Sequence, residues 1–338
     1  MLCCSRESIG RFAACLKPLA TASNIFSAFA SEIFGLAVCR AGIGEYSQNA
    51  SLHPWRGELR RARVRRRISS ASTMKLNDCS ALITGASSGI GREFALQLAS
   101  RARAILLVAR RSEQLTDLRD ELLNRNPKLE VHVRVIDLAD KTQMESLIDS
   151  LARDKIEVNL LINNAGLGDS GPFVSSDPIR NEQMALVNMV ALTSLTRQLL
   201  PHMIAKRHGG ILNISSSAGF LPIPGDAVYA ATKAYVTSFS EAIRAELRGK
   251  GVSVCAVCPG PVRTEFQEVA KRPGGQPEMG SKIFFVSVKQ VVRAAFAALE
   301  ADRPLVIPGL TMKLAMFLTR LFPMPVVRLV FRLAPKRG

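Results

Sequence analysis

Tyr229 and Lys233 stand four residues apart in DAVYAATKAYV, a spacing that puts both side chains on one face of a helix. Such a pair suits proton transfer at a carbonyl oxygen. Carbonyl reduction needs a hydride donor, a proton donor for the developing alkoxide and a group that polarises the oxygen. A tyrosine with its ordinary pKa of ~10 is a poor acid–base group at neutral pH. A neighbouring ammonium favours the phenolate and brings that pKa down. Alone, the spacing describes a packed tyrosine beside a surface lysine more often than a site. Its weight comes from the motifs upstream.

Those motifs are TGASSGIG (Thr84 to Gly91), NNAG (Asn163 to Gly166) and ISSSAG (Ile214 to Gly219). Gly85, Gly89 and Gly91 form GxxxGxG between an apolar run and a helical segment that starts near Ile90. Glycine is required where the backbone turns tightly and where a Cβ would block a pyrophosphate. With Ser87, Ser88 and Ile90 the turn offers the amides and dipole of a helix N-terminus to phosphates. The next apolar run ends in LLVARR, with Ala109 where an NAD enzyme places the carboxylate that binds the ribose 2′-hydroxyl. An acid would repel a 2′-phosphate, whereas the guanidinium of Arg110 can bind one in two-pronged fashion. This favours NADP(H) over NAD(H). The bland alternative makes Arg110 and Arg111 solvated loop charges.

Four motifs in this order and spacing resemble the short-chain dehydrogenase/reductase family, in its single-domain branch, from Leu76 to Ile307. The resemblance implies that Ser216, thirteen residues before Tyr229, is the hydroxyl donor. It makes Asn188, in ALVNMVAL, the fourth member of a catalytic tetrad. An unpaired amide on that apolar helix would be costly, and a water link to Lys233 would satisfy it. Lys233 would also hold the nicotinamide ribose. Asp137 would approach the adenine, and Asn163, Asn164, Ala165 and Gly166 would line the cofactor cleft, unless Asn163 merely ties neighbouring strands. Pro259, Gly260 and Val262 would lie beside the nicotinamide, with Thr264 at its carboxamide. A homo-oligomer, dimer or tetramer, is the expected assembly.

The elements that must position these residues alternate along the chain. Apolar runs occur at Ser80–Thr84, Ala104–Ala109, Val131–Ile136, Leu160–Asn163, Ile211–Ile214, Ser253–Val257 and Leu305–Ile307, with amphipathic segments such as Ser112–Asn124, Lys141–Asp154 and Ala227–Arg248 between them. Asp177-Pro178 reads as a capped helix start. Near-continuous apolar runs mark strands covered on both faces. The expected fold is α/β, a doubly wound Rossmann-type parallel sheet of about seven strands with helices on both faces.

Charge argues against a nucleic-acid partner. The formal charge is +17, but residues 1–73 carry 11 basic and 4 acidic residues, and residues 303–338 carry 7 basic and no acidic ones. The stretch between is left at +3. A phosphate-tracking groove would want that charge on the folded domain. Cys255 and Cys258 form a CxxC in VSVCAVCPG, a strand that sends their side chains to opposite faces. Structural thiols in a reducing, cytoplasmic compartment are expected, and no metal site.

Residues 1–73 read as an extension outside the fold, with Met74 as the expected start. Its run RRARVRRRISSAS also fits a transit peptide or a basic arm. Residues 74–308 are the expected catalytic domain. Residues 309–338 form an apolar, basic tail broken by Pro323 and Pro325, suited either to lying on an anionic membrane or to packing on the core. The Gly- and Pro-rich stretch from Arg263 to Phe285 reads as a mobile lid. The function expected is NADP(H)-dependent interconversion of a carbonyl and a secondary alcohol on a hydrophobic substrate. A 3-oxoacyl-carrier-protein-type reductase, a non-catalytic NADP-binding scaffold and a membrane tether are the alternatives.

Overall fold

The computed structural model describes residues 74–272 and 282–321. The expectations for residues 1–73, for most of KRPGGQPEMG and for the tail beyond 321 lie outside the described residues. Seven strands form one parallel sheet: β1 (Cys79–Thr84), β2 (Ala102–Ala109), β3 (Glu130–Val135), β4 (Leu160–Asn163), β5 (Gly209–Ile214), β6 (Val252–Val257) and β7 (Leu305–Val306). Their spatial order is β3-β2-β1-β4-β5-β6-β7. The order reverses between β1 and β4, and in such sheets ligands bind in the crevice beyond the strand carboxyl ends at that point.

Alternate residues of the central strands feed two cores. Ile83, Ile105 and Leu107 join one core with helices α1 (Gly89–Leu98), α2 (Ser112–Arg125) and α8 (Val288–Glu300). Leu82, Leu106 and Val108 join the other with α3 (Lys141–Arg153), the long helix of α4 (Pro178–Ala185) and α5 (Leu192–Ala205), and α6 (Ala227–Glu246). A short α7 (Glu265–Ala270) follows β6, and α9 (Leu310–Leu321) follows β7.

One strand departs from the expected burial on both faces. β3 is the sheet edge, pairs with β2 alone and is partly exposed along its length. Its sequence alternates, placing His132 and Arg134 between valines, as a half-covered edge strand does. Arg134 pairs with Asp154 at the end of α3. The expected helix start at Asp177 is present: its side chain accepts from the Ile179 amide at 2.9 Å, with Pro178 in the first turn. The CxxC cysteines are fully buried. Cys255 lies in the first core, Cys258 beside Thr237 of α6, and burial pushes the Cys255 thiol up to about 12.

Candidate active site

The glycine turn joins β1 to α1 at the switch point. Gly85 and Gly89 adopt φ of +65° and +54°, a region that favours glycine. A Cβ on Gly91 would lie 2.2 Å from the Gly85 carbonyl oxygen and 2.5 Å from Asn164 Nδ2, so only glycine fits at this third position of α1. Asn164 donates to the carbonyls of Thr84 and Gly85, at 2.9 and 3.2 Å. The Thr84 hydroxyl accepts from the amides of Asn164 and Ala165, both at 3.0 Å. These bonds clamp the turn to the end of β4. No side chain caps α1 at Ser88, so its first amide N–H groups are available to a phosphate. The built turn and uncapped helix fit a dinucleotide pyrophosphate.

Asn163 takes the structural role. It is 3% exposed, and its amide donates to Asn213 Oδ1 on β5 at 2.9 Å and to Thr196 at 3.1 Å. It therefore ties β4 to β5 from below, while its neighbour Asn164 faces the turn.

Tyr229 and Lys233 lie on α6, with the ammonium 5.7 Å from the phenol ring centroid. Ser216, just after β5, accepts from the Ala218 amide at 3.1 Å, and its side chain favours the phenolate form of Tyr229. Its neighbour Ser215 is turned away: its hydroxyl donates to the Lys233 carbonyl at 2.8 Å and meets Thr237 at 2.7 Å. Asn188 sits in a π-helical turn, Leu186–Ala191, inserted between α4 and α5. Such single-turn bulges recur at functional sites. Leu167 and Thr232 satisfy this amide. Asn188 Oδ1 accepts from the Leu167 amide at 2.8 Å, and Nδ2 donates to the Leu167 carbonyl at 2.9 Å and to Thr232 at 3.0 Å. Gly166 lies beside Asn188 and Lys233, its Cβ position 3.4 Å from Asn188 Oδ1 and from Lys233 Nζ, an ordinary contact distance.

The electrostatics differ from the simple expectation of a lowered tyrosine. Burial pushes the Tyr229 phenol up to about 12, the Ser216 hydrogen bond pulls it back, and Asp226 raises it further. Lys233 is 4% exposed, and burial brings its ammonium down to about 8. Its Nζ donates to the Ile214 carbonyl at 2.8 Å. Desolvation penalises both charged forms and is the largest effect on each.

At the end of β2 the two arginines part company. Arg110 is exposed and lies 3.7 Å from Asp137. Arg111 reaches across the turn: its Nε and Nη2 lie 3.3 and 3.2 Å from Ser87 Oγ, and its Nη1 is 2.9 Å from Glu265. Arg111, treated in the sequence as at most a loop charge, is therefore the guanidinium beside the glycine turn. Asp137 holds its own loop, its carboxylate accepting from the Ala139 amide at 3.0 Å.

After β6, the carbonyl of Pro259 accepts from Ser217 at 2.9 Å, and Gly260 faces Met312 of α9, where a Cβ would lie 2.6 Å from the methionine methyl. Val262 is buried. Thr264 stands over Gly89, 3.2 Å from its Cβ position. Next, Phe266 covers the site, its ring centroid 5.6 Å from that of Tyr229. Among the described residues there is no cluster fit to hold a metal.

The family model described as short chain dehydrogenase matches residues 80–273. Sulfoacetaldehyde reductase 2 of Chromohalobacter salexigens is 38% identical over 205 residues, 60% of this chain and 79% of that protein. The very-long-chain 3-oxoacyl-CoA reductase of Homo sapiens is 32% identical over 195 residues, 56% of this chain and 62% of that protein. Among solved structures, a short-chain dehydrogenase from Sphingobium yanoikuyae in complex with NADPH superposes with a TM-score of 0.63 at 30% identity, covering 77% of this chain and 98% of that one.

Proposed function

The chain belongs to the short-chain dehydrogenase family and is an oxidoreductase of carbonyl and alcohol groups; from that premise we propose that it is an NADP(H)-dependent reductase of hydrophobic ketones or aldehydes. One observation carries the reading: Tyr229 is flanked by Ser216, which favours its phenolate, and by a buried Lys233, at the mouth of a glycine turn built for a dinucleotide. Ser87–Gly91, Asn164–Gly166 and Pro259–Thr264 would hold NADP(H), which would supply the hydride for the carbonyl carbon. Tyr229 gives its phenolic proton to the carbonyl oxygen as negative charge develops there. Ser216 donates a hydrogen bond to the same oxygen. Lys233 holds positive charge against the forming phenolate, and Asn188 fixes the Leu167 backbone that lines the same wall. Phe266 keeps bulk water from the proton donor.

Support for the phosphate form of the cofactor comes from Ala109 in place of an acid and from Arg111 at Ser87. The Sphingobium relative is in complex with NADPH. Arg111→Ala is expected to lower the kcat/KM ratio for NADPH over NADH by about 10- to 100-fold, the worth of a charge-assisted hydrogen bond. Arg110→Ala should change the ratio much less. Steady-state rates with both cofactors check this, and an unchanged ratio in Arg111→Ala would assign the 2′-phosphate elsewhere.

The same proposal places α9 at an anionic membrane surface. No described helix is long and apolar enough to cross a membrane. Met312 and Met316 pack inward, while Leu310, Leu314 and Phe317 are more than half exposed on the opposite side. Residues 303–338 carry no acid. An apolar face flanked by basic residues suits lipid headgroups. Leu314→Glu with Phe317→Glu should abolish co-sedimentation with phosphatidylserine vesicles and spare turnover of a soluble ketone. Sedimentation equal to wild type would remove the membrane from the account. Assembly into a homo-oligomer belongs to the same proposal, and Val190, with Tyr235 stacked on Phe239, offers exposed apolar surface for it.

A further inference from the structure

The strand-end loop after β4 and the segment after β6 are locked together by one ion pair. Arg272 grips Asp169 with two prongs, Nε to Oδ1 at 2.8 Å and Nη2 to Oδ2 at 2.5 Å. The two side chains are only 20% and 10% exposed. The third guanidinium nitrogen donates to the Pro172 carbonyl at 2.8 Å. Gly171, at φ +157°, makes the room: a Cβ there would stand 2.8 Å from Arg272 Nη1. Beside the pair, the Ser170 amide donates to the Ala270 carbonyl at 3.0 Å.

Between Thr264 and Arg272 the chain carries Phe266 over Tyr229. Phe266 also rests on Gly168, where a Cβ would meet its ring at 2.8 Å. The far end of this roof is held by Glu265 to Arg111. That anchor is exposed, and exposed ion pairs contribute little. It also uses the guanidinium that a 2′-phosphate would take. The Asp169–Arg272 pair shares neither weakness, being largely enclosed and two-pronged.

We propose that Asp169 and Arg272 are positioning residues that hold the Thr264–Arg272 roof closed on Tyr229 once cofactor has claimed Arg111, and so set both water exclusion and the fit of the substrate. The proposal rests on Tyr229 as proton donor. Neither residue touches the reacting atoms; they act through Phe266.

The test uses the full chain with NADPH and compares wild type with Arg272→Ala, Asp169→Ala, the double variant and Arg272→Lys. Hydrogen exchange by mass spectrometry should rise in residues 168–172 and 264–272 of each variant and stay unchanged in β4 and β5. That readout needs no turnover, so it decides the clasp even if the proposed reaction fails. With a ketone substrate, kcat/KM should fall by about 100-fold, the scale of loss for a displaced wall near the chemistry, while NADPH affinity is kept. The double variant should be no worse than the poorer single one, as for two halves of one contact. The alkaline limb of the pH–rate profile should move down, because an opened roof rehydrates Tyr229. Arg272→Lys keeps the charge without the fork and should show the same changes at smaller size, which guards against a variant that misfolds. Unchanged exchange in both segments, with an unchanged pH profile, would overturn the proposal.

Discussion

Replacing Tyr229 with phenylalanine should lower kcat by about 10³- to 10⁴-fold, the upper range for loss of a positioned general acid, while leaving NADPH affinity nearly intact. The separation follows from the geometry. The phenol oxygen is the group next to Ser216, whereas the ring keeps its place against Phe266. The glycine turn and its Asn164 clamp do not involve Tyr229. Single-turnover rates give the first quantity and nicotinamide fluorescence titration the second. Turnover within tenfold of wild type would remove Tyr229 from the proton-transfer step.

Lys233→Met should abolish turnover and yet stabilise the fold near neutral pH. Burial lowers the Lys233 ammonium from 10.5 to about 8 in the folded protein, so at pH 7 the native state holds a charge that water would solvate better. A shift of that size corresponds to about 3 kcal/mol. Losing the hydrogen bond to the Ile214 carbonyl offsets about 1 kcal/mol of it. The pH dependence carries the sign. Between pH 8 and 10.5 the unfolded chain holds this proton and the folded chain does not, so unfolding takes up a proton and wild-type stability rises with pH relative to the variant. Below pH 8 both states are protonated and the cost is fully present. Urea unfolding from pH 7 to pH 10 should show the variant's advantage shrinking across this window. A constant difference would mean that burial does not act on Lys233 as described.

The strand ends were legible because strands covered on both faces are written as unbroken apolar runs. Ala81–Ile83 and Leu160–Ile162 have no polar face, and the two runs are directly paired. β3 was harder to characterise, since an edge strand alternates and VHVRVI does not announce how little of it is covered. The Tyr229, Lys233 and Ser216 grouping was visible from order and spacing because Ser216 follows the C-terminal end of β5 and the pair lies in the first two turns of the next long helix, α6. Adjacent like residues were not separable. Asn163 and Asn164 take opposite roles because Asn163 is the last residue of β4 and bonds to Asn213 and Thr196, whereas Asn164 is already past the strand end. Arg110 and Arg111 diverge because Arg111 is extended at the head of α2, with φ −90° and ψ 103°, and turns toward Ser87. The Asp169–Arg272 pair could not be found from the chain, since its members are 103 positions apart and α4 to α7 lie between them.

The central claim is that this chain moves a hydride to a carbonyl and does not merely hold a nucleotide. NADPH deuterated at the transferring position, incubated with the protein and a panel of apolar ketones, measures this most directly. The expected result is one deuterium at the carbinol carbon for each NADPH consumed, with Tyr229→Phe inert in the same assay. Saturable NADPH binding with no labelled alcohol from any ketone or aldehyde in the panel would contradict it, and would leave the chain as a nucleotide-binding scaffold.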